Sequence, residues 1–195
     1  MNKKVLLAAL LSVATVFGAS AQKLVGSLSS LKGQERVNLV IEFSGTLLVN
    51  GKTEAKFLEE TIAQKQSQAE KDKVLDEWNK DMRTQAYAML TKSVNDKVSK
   101  KHFTVGEFPD AEYTIVVKVK EIQAGFYAVV AARASEIKSE VSFVKTGETT
   151  PFATIEYKKS RDAFSSYIPY WVTRIAMSFG TLGTELGYAI NKALK

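Results

Sequence analysis

Cysteine is absent from this 195-residue chain, histidine occurs once, as His102, and proline only three times. Without thiols no disulfide can form, and zinc sites built from Cys and His ligands cannot be assembled. A Ser-His pair would have only His102 to use, and no serine stands in a G-x-S-x-G elbow. Phosphate loops are missing too: Gly180, Gly183 and Gly187 match neither the P-loop nor the dinucleotide spacing. The sequence therefore offers no recognisable metal, cofactor or catalytic motif, and a metal site would need carboxylates converging on the one imidazole, which reads instead as a solvated histidine near the end of the long helix. Stability has to come from an apolar core rather than from cross-links.

Charge of one sign is also scarce. The formal charge is +6, of which Lys3 and Lys4 lie at the extreme N-terminus. That balance is too mild and too dispersed for a nucleic-acid partner, which shows a concentrated basic face. The charge-dense stretch from Glu54 to Lys101 mixes both signs and reads as a solvated helix face, with Lys97, Lys100 and Lys101 complementing the helix dipole at its end.

What is present begins with MNKKVLLAALLSVATVFGASAQ. A short basic region, an apolar run from Val5 to about Phe17 and the small residues Ala19-Ser20-Ala21 make a secretory signal peptide over residues 1–21, cleaved between Ala21 and Gln22. The apolar run falls short of the roughly 20 residues a spanning helix needs. Gln22 stands where a bacterial lipoprotein would carry its cysteine, so the expected product is a periplasmic or secreted protein without a lipid anchor.

Residues 22–35 are mixed and short and are expected to be a poorly ordered lead-in. In RVNLVIEF, Val37, Leu39, Ile41 and Phe43 alternate with Asn38, Val40 and Glu42, which predicts a strand ending at Ser44-Gly45. Asn50-Gly51 would ordinarily signal a hairpin, but helix-forming sequence follows, so the pair reads as a loop into a helix capped by Thr53. From Glu54 to Lys101 there is neither proline nor glycine, and Leu75, Trp78, Met82, Ala86 and Met89 recur at helical steps beside Leu90, Val94 and Val98. One long core-facing helix is expected, with the polar segment Ala63–Lys73 as an exposed extension or joint. FPDAEYTIVVKV then sets Tyr113, Ile115, Val117 and Val119 opposite Thr114, Val116, Lys118 and Lys120. FYAVVAARASEIKSEVSFVK reads as one long or bent strand, weakest from Ala131 to Ser135. FATIEYKK is the last strand, with Ala153, Ile155 and Tyr157 on one side. The tail from Ser165 to Leu194 is helical; its glycines either break the helix near Gly180 or let the backbone lie close against the sheet. The fold class is α+β, in the order β-α-β-β-β-α: a single, mainly antiparallel sheet of about four strands with both helices on one face. Residues 36–195 are expected to be a single domain.

The segments LKGQERVNLVIEFS and GEFPDAEYTIVVKVKEI, with the glycine-containing terminal helix, resemble a family of small uncharacterised exported proteins, of unknown function, from anaerobic Gram-negative bacteria. The element order also resembles envelope proteins of unknown function and periplasmic auxiliary components of transport systems. The resemblance supplies no catalytic residues. Asp110 and Glu112 form a conceivable carboxylate pair, but their place at the mouth of a strand favours turn chemistry. The best ligand-site candidates are aromatic: Phe126, Tyr157, Tyr167, Tyr170 and Trp171, with Phe164 nearby. The expected function is non-enzymatic, an exported envelope protein binding a partner protein or a small ligand through a sheet edge or this aromatic region. The alternatives are membrane-surface association through the C-terminal helix and a hydrolase with a carboxylate site.

Overall fold

The computed structural model describes residues 23–128 and 130–195. The expected signal peptide and its cleavage point lie outside them. In chain order the elements are β1 (Leu24–Gly26), β2 (Arg36–Val49), β3 (Lys52–Thr53), α1 (Glu54–Ala63), α2 (Gln68–Asp76), a π turn (Glu77–Met82), α3 (Arg83–Val98), β4 (Thr104–Gly106), β5 (Tyr113–Gln123), β6 (Phe126–Ala128), β7 (Ala131–Arg133), β8 (Glu136–Lys145), β9 (Ala153–Arg161) and α4 (Trp171–Ala193). The main sheet has the order β1-β9-β8-β5-β2-β3, with β4 also on β2. It is a mixed sheet of seven strands, larger than the four expected and not mainly antiparallel. β2 runs parallel to both β4 and β5 because the helical segment between them returns the chain to the end where β2 began, which a hairpin cannot do.

Several local expectations change for identifiable reasons. β2 does not end at Ser44-Gly45; its pairing is irregular between Phe43 and Leu48 and then resumes to Val49. Asn50 and Gly51 both have positive φ, 52° and 77°, the geometry a two-residue hairpin requires, and they turn β2 into β3. Thr53 does cap α1, its Oγ1 accepting from the Lys56 N–H at 3.3 Å. The expected single helix is broken after Ala63. Ser67 and Glu70 form a capping box that starts α2, so the break needs neither glycine nor proline. The segment expected to be one strand from Phe126 onward is a separate short hairpin, β6–β7, followed by β8.

The core lies between one face of the sheet and the helices. Ile115, Val117 and Val119 of β5, Val141 and Phe143 of β8, and Ile155 and Tyr157 of β9 face inward, and Trp78 shares the same buried cluster. On the helical side Val74, Trp78, Met82, Ala86, Leu90, Val94 and Val98 are buried at every fourth residue, whereas Leu75 and Met89 are exposed. A four-residue step in an α-helix overshoots a full turn by about 40°. The π turn rotates less per residue and offsets part of that drift. The opposite sheet face is open to solvent, with Val40, Glu42, Lys118, Glu156 and Lys158 exposed.

α4 runs unbroken through its glycines and packs beside α3. A Cβ on Gly183 would lie 2.5 Å from the Leu90 carbonyl oxygen, and one on Gly187 2.6 Å from Lys97 Cβ. The close approach is therefore to α3, not to the sheet. The N-terminal lead-in is ordered: β1 pairs with β9, and Leu28 and Leu31 are buried in the core. Its backbone pairing leaves no side-chain alternation to read over three residues.

Candidate ligand-binding site

The junction of α1, α2 and the start of α4 holds an aromatic group. Trp171 opens α4 and stacks on Trp78 of the π turn, centroids 5.8 Å apart and planes within 4°. Phe57 of α1 tilts against both rings, at 5.6 Å from Trp78 and 6.3 Å from Trp171. Each indole N–H has a carboxylate. Trp78 Nε1 donates to Glu54 Oε1 at 2.5 Å, which also receives Arg83 at 3.0 Å, and Trp171 Nε1 donates to Glu77 Oε2 at 2.7 Å. Lys73 lies 3.8 Å from Glu77.

One turn into α4, Arg174 is buried with only 5% of its surface exposed. Its guanidinium donates to four backbone carbonyls: Ala124 at 2.9 Å, Ile168 at 2.6 Å, Pro169 at 3.2 Å and Gly125 at 3.4 Å. These bonds tie the turn after β5 to the approach of α4. Among the described residues no carboxylate forms an ion pair with it, and burial lowers its pKa. It still carries its charge at neutral pH.

Between these parts opens a groove of about 520 Å³. Phe57 and Trp171 form an apolar wall, Arg174 lies at the base, and Lys65 and Lys73 stand at the rim. Tyr170 borders it, and burial, then the charges of Glu77 and Asp81, raise the pKa of its hydroxyl. The arrangement combines flat aromatic surface with positive charge, which suits a ligand that is apolar at one end and acidic at the other.

The five aromatic candidates do not converge. Tyr170 and Trp171 share the groove. Phe126 and Tyr167 are exposed and do not line it; they stand on β6 and on the 3-10 segment Ala163–Tyr167. Tyr157 is buried in the core, where desolvation, and secondarily the Glu185 charge, push its hydroxyl pKa far up. Phe57 and Trp78 carry no sequence pattern that marks them as site residues. The available signal was Arg174 itself, one charge among the apolar residues of a core-facing helix. Asp110 and Glu112 lie away from the groove; Asp110 accepts from Arg36 at 2.5 Å and Glu112 from Gln34 at 3.2 Å. His102 follows α3 in a turn, its backbone N–H bonded to the Val98 carbonyl. No group of three or more metal-ligating side chains occurs among the described residues. No helix among them is long and apolar enough to cross a membrane.

Fold and site together define an α+β protein with its helices on one face of a mixed sheet and a groove at one end of that layer. No family model and no curated protein matches the chain. Among solved structures it is similar to a PelC dodecamer from Paraburkholderia phytofirmans, 6% identical over 84% of this chain and 96% of that one, with a TM-score of 0.44. It is also similar to an uncharacterised protein, 11% identical over 82% and 94%, TM-score 0.38. A Xanthomonas campestris protein of the DUF330 family is 11% identical over 86% and 90%, TM-score 0.34. At these scores the likeness carries neither a family nor a function to this chain.

Proposed function

We propose that this is a non-catalytic exported protein of the cell envelope that binds a small amphipathic acid in the groove beside Trp171. The observation that carries the reading is the buried Arg174 guanidinium, which has four carbonyl partners but no counter-ion among the described residues, at the base of an aromatic-walled opening. A ligand carboxylate there would gain a charge partner, and its apolar body would cover Phe57 and Trp171. Glu77 does not oppose this, because its carboxylate is engaged by the Trp171 N–H and lies close to Lys73.

Decanoate and phenylacetate, with their amides as uncharged controls, supply the test. Binding of the acids should change the emission of the Trp78–Trp171 stack and raise the thermal midpoint with ligand concentration. Lys65→Glu combined with Lys73→Glu should weaken that binding by about two- to fivefold per charge while leaving the fold intact, the scale of exposed charge pairs. Equal response to acids and amides would remove the role given to Arg174. No response to either, with no small molecule retained in native mass spectra of the protein from its own source, would remove the groove as a binding site.

A further inference from the structure

The β6–β7 hairpin is unlike every other strand pair in the fold. All six of its strand residues are exposed, so the ribbon buries neither face. Both faces are nonetheless mostly apolar: Phe126 and Ala128 point one way, Tyr127 the other, with Ala131 and Ala132 opposite them. Two-stranded hairpins of this length are marginal in water unless something covers them. At the turn Val130 is 94% exposed. The 3-10 segment Ala163–Tyr167 packs against the ribbon and adds Phe164 and Tyr167, 73% and 72% exposed. This concentration of large exposed apolar side chains calls for an occupant.

We infer that this tip, formed by the β6–β7 hairpin and the 3-10 segment, docks onto the surface of an anionic lipid bilayer. Two observations select lipid over a protein. First, a ribbon whose two apolar faces are both exposed is matched by a medium that surrounds it, whereas a protein partner covers one face. Second, charge is distributed along the tip as an interface requires. Residues 124–132 include no Asp, Glu, Lys or Arg, and the first charge is Arg133, paired across the ribbon with Phe126 at its base. Arg161 is exposed at the end of β9. The nearby acids are engaged: Glu136 pairs with Lys159 at 2.9 Å, and Asp162 caps the 3-10 segment by accepting from the Phe164 N–H at 2.8 Å. With Val130 and Phe164 at the acyl boundary, Phe126 and its cross-strand partner Arg133 lie together at headgroup depth with Arg161, and Tyr127 and Tyr167 supply rings of the kind that settle at that interface. This surface is distinct from α4, whose apolar side is buried against α3 and the sheet, and it does not depend on the groove.

The absence of cysteine gives a direct test. Val130→Cys and, as a control, Tyr188→Cys on α4 are each labelled with an environment-sensitive dye and mixed with phosphatidylglycerol-containing or purely phosphatidylcholine vesicles. The expected result is a blue shift at position 130 with anionic vesicles, none at 188, and weakening at high salt. In co-sedimentation, Phe126→Ser with Val130→Ser should lower vesicle binding about tenfold or more, since one lost large apolar contact already accounts for that. Tyr167→Ser provides a second variant outside the hairpin. A label at 130 that does not respond, equal responses at 130 and 188, or serine variants that bind as well as the parent would each overturn the proposal. So would a vesicle-independent dimer abolished by the serine variants, which would assign the tip to a second copy of the chain.

Discussion

Trp78 is fully buried in one cluster with Ile115 and Val117, and its ring stacks on Trp171 while its N–H is held by Glu54. Trp78→Ala should cost about 3–5 kcal/mol in urea unfolding, as large-to-small core changes do; an unchanged midpoint would mean the cavity closes without loss. The burial was legible from the helical apolar stripe, but the stacking and the carboxylate bond had no signature, because Trp171 and Glu54 lie far off in sequence. Glu70 belongs to an S-x-x-E pattern that begins at Ser67, a local signal that the expectation of one long helix overlooked. The Ser67 backbone N–H first, then its hydroxyl and the Gln66 N–H, hold the Glu70 carboxyl below its usual range. A carboxyl with a depressed folded pKa stabilises above its unfolded value, and the effect is lost as pH falls through the folded one. Amide protection at the start of α2, with each exchange rate taken relative to the unprotected rate at the same pH, should therefore fall on acidification in the parent. Ser67→Ala should flatten that dependence, and a parent profile equally flat would contradict the capping-box account.

At the scale of elements, period-two and helical patterns were readable wherever one face met the core and the other met water. β5 alternates from Ile115 to Val119 and β9 from Ala153 to Tyr157, each up to the point where its pairing becomes irregular. The pattern failed where structure is set by backbone bonds or by single turns: β1, the break before α2, the π turn and the β6–β7 ribbon. The helix pair α3–α4 lies between these cases, since glycines at Gly180, Gly183 and Gly187 announce a close approach without naming the partner. Geometry now separates their roles. Gly183→Leu and Gly187→Leu should each cost about 1–3 kcal/mol or more by overpacking against the α3 backbone and Lys97. Gly180→Ala meets the flexible end of Met89 at 3.3 Å and, at ordinary contact distance, the Ser93 hydroxyl at 3.5 Å. It should be neutral or stabilising by up to about 1 kcal/mol, the helix penalty of glycine. Thermal melts of the three variants check the contrast, and a uniform response would mean that the interface relaxes as a whole.

For the whole molecule, the layer of helices on one sheet face followed from the segregation of elements, but strand order and direction did not. Antiparallel pairing was the simplest reading of consecutive strands; the helical crossover made β2 and β5 parallel neighbours instead. The groove was hidden for the same reason, since Phe57, Lys73 and Trp171 meet only through tertiary packing. The N-terminal lead-in carries the sharpest consequence at this scale. A sequence reading would start the domain near residue 36, yet Leu28 and Leu31 are each 1% exposed and β1 covers the outer edge of β9. Starting the chain at Arg36 removes two buried leucines, worth about 1.5–3 kcal/mol apiece, and bares the backbone of β9 as a free sheet edge, which invites pairing with another chain. The shortened protein should unfold at distinctly lower urea and sediment partly as oligomers. A truncation that stays monomeric with the parent's midpoint would show that the sheet closes at β9 on its own.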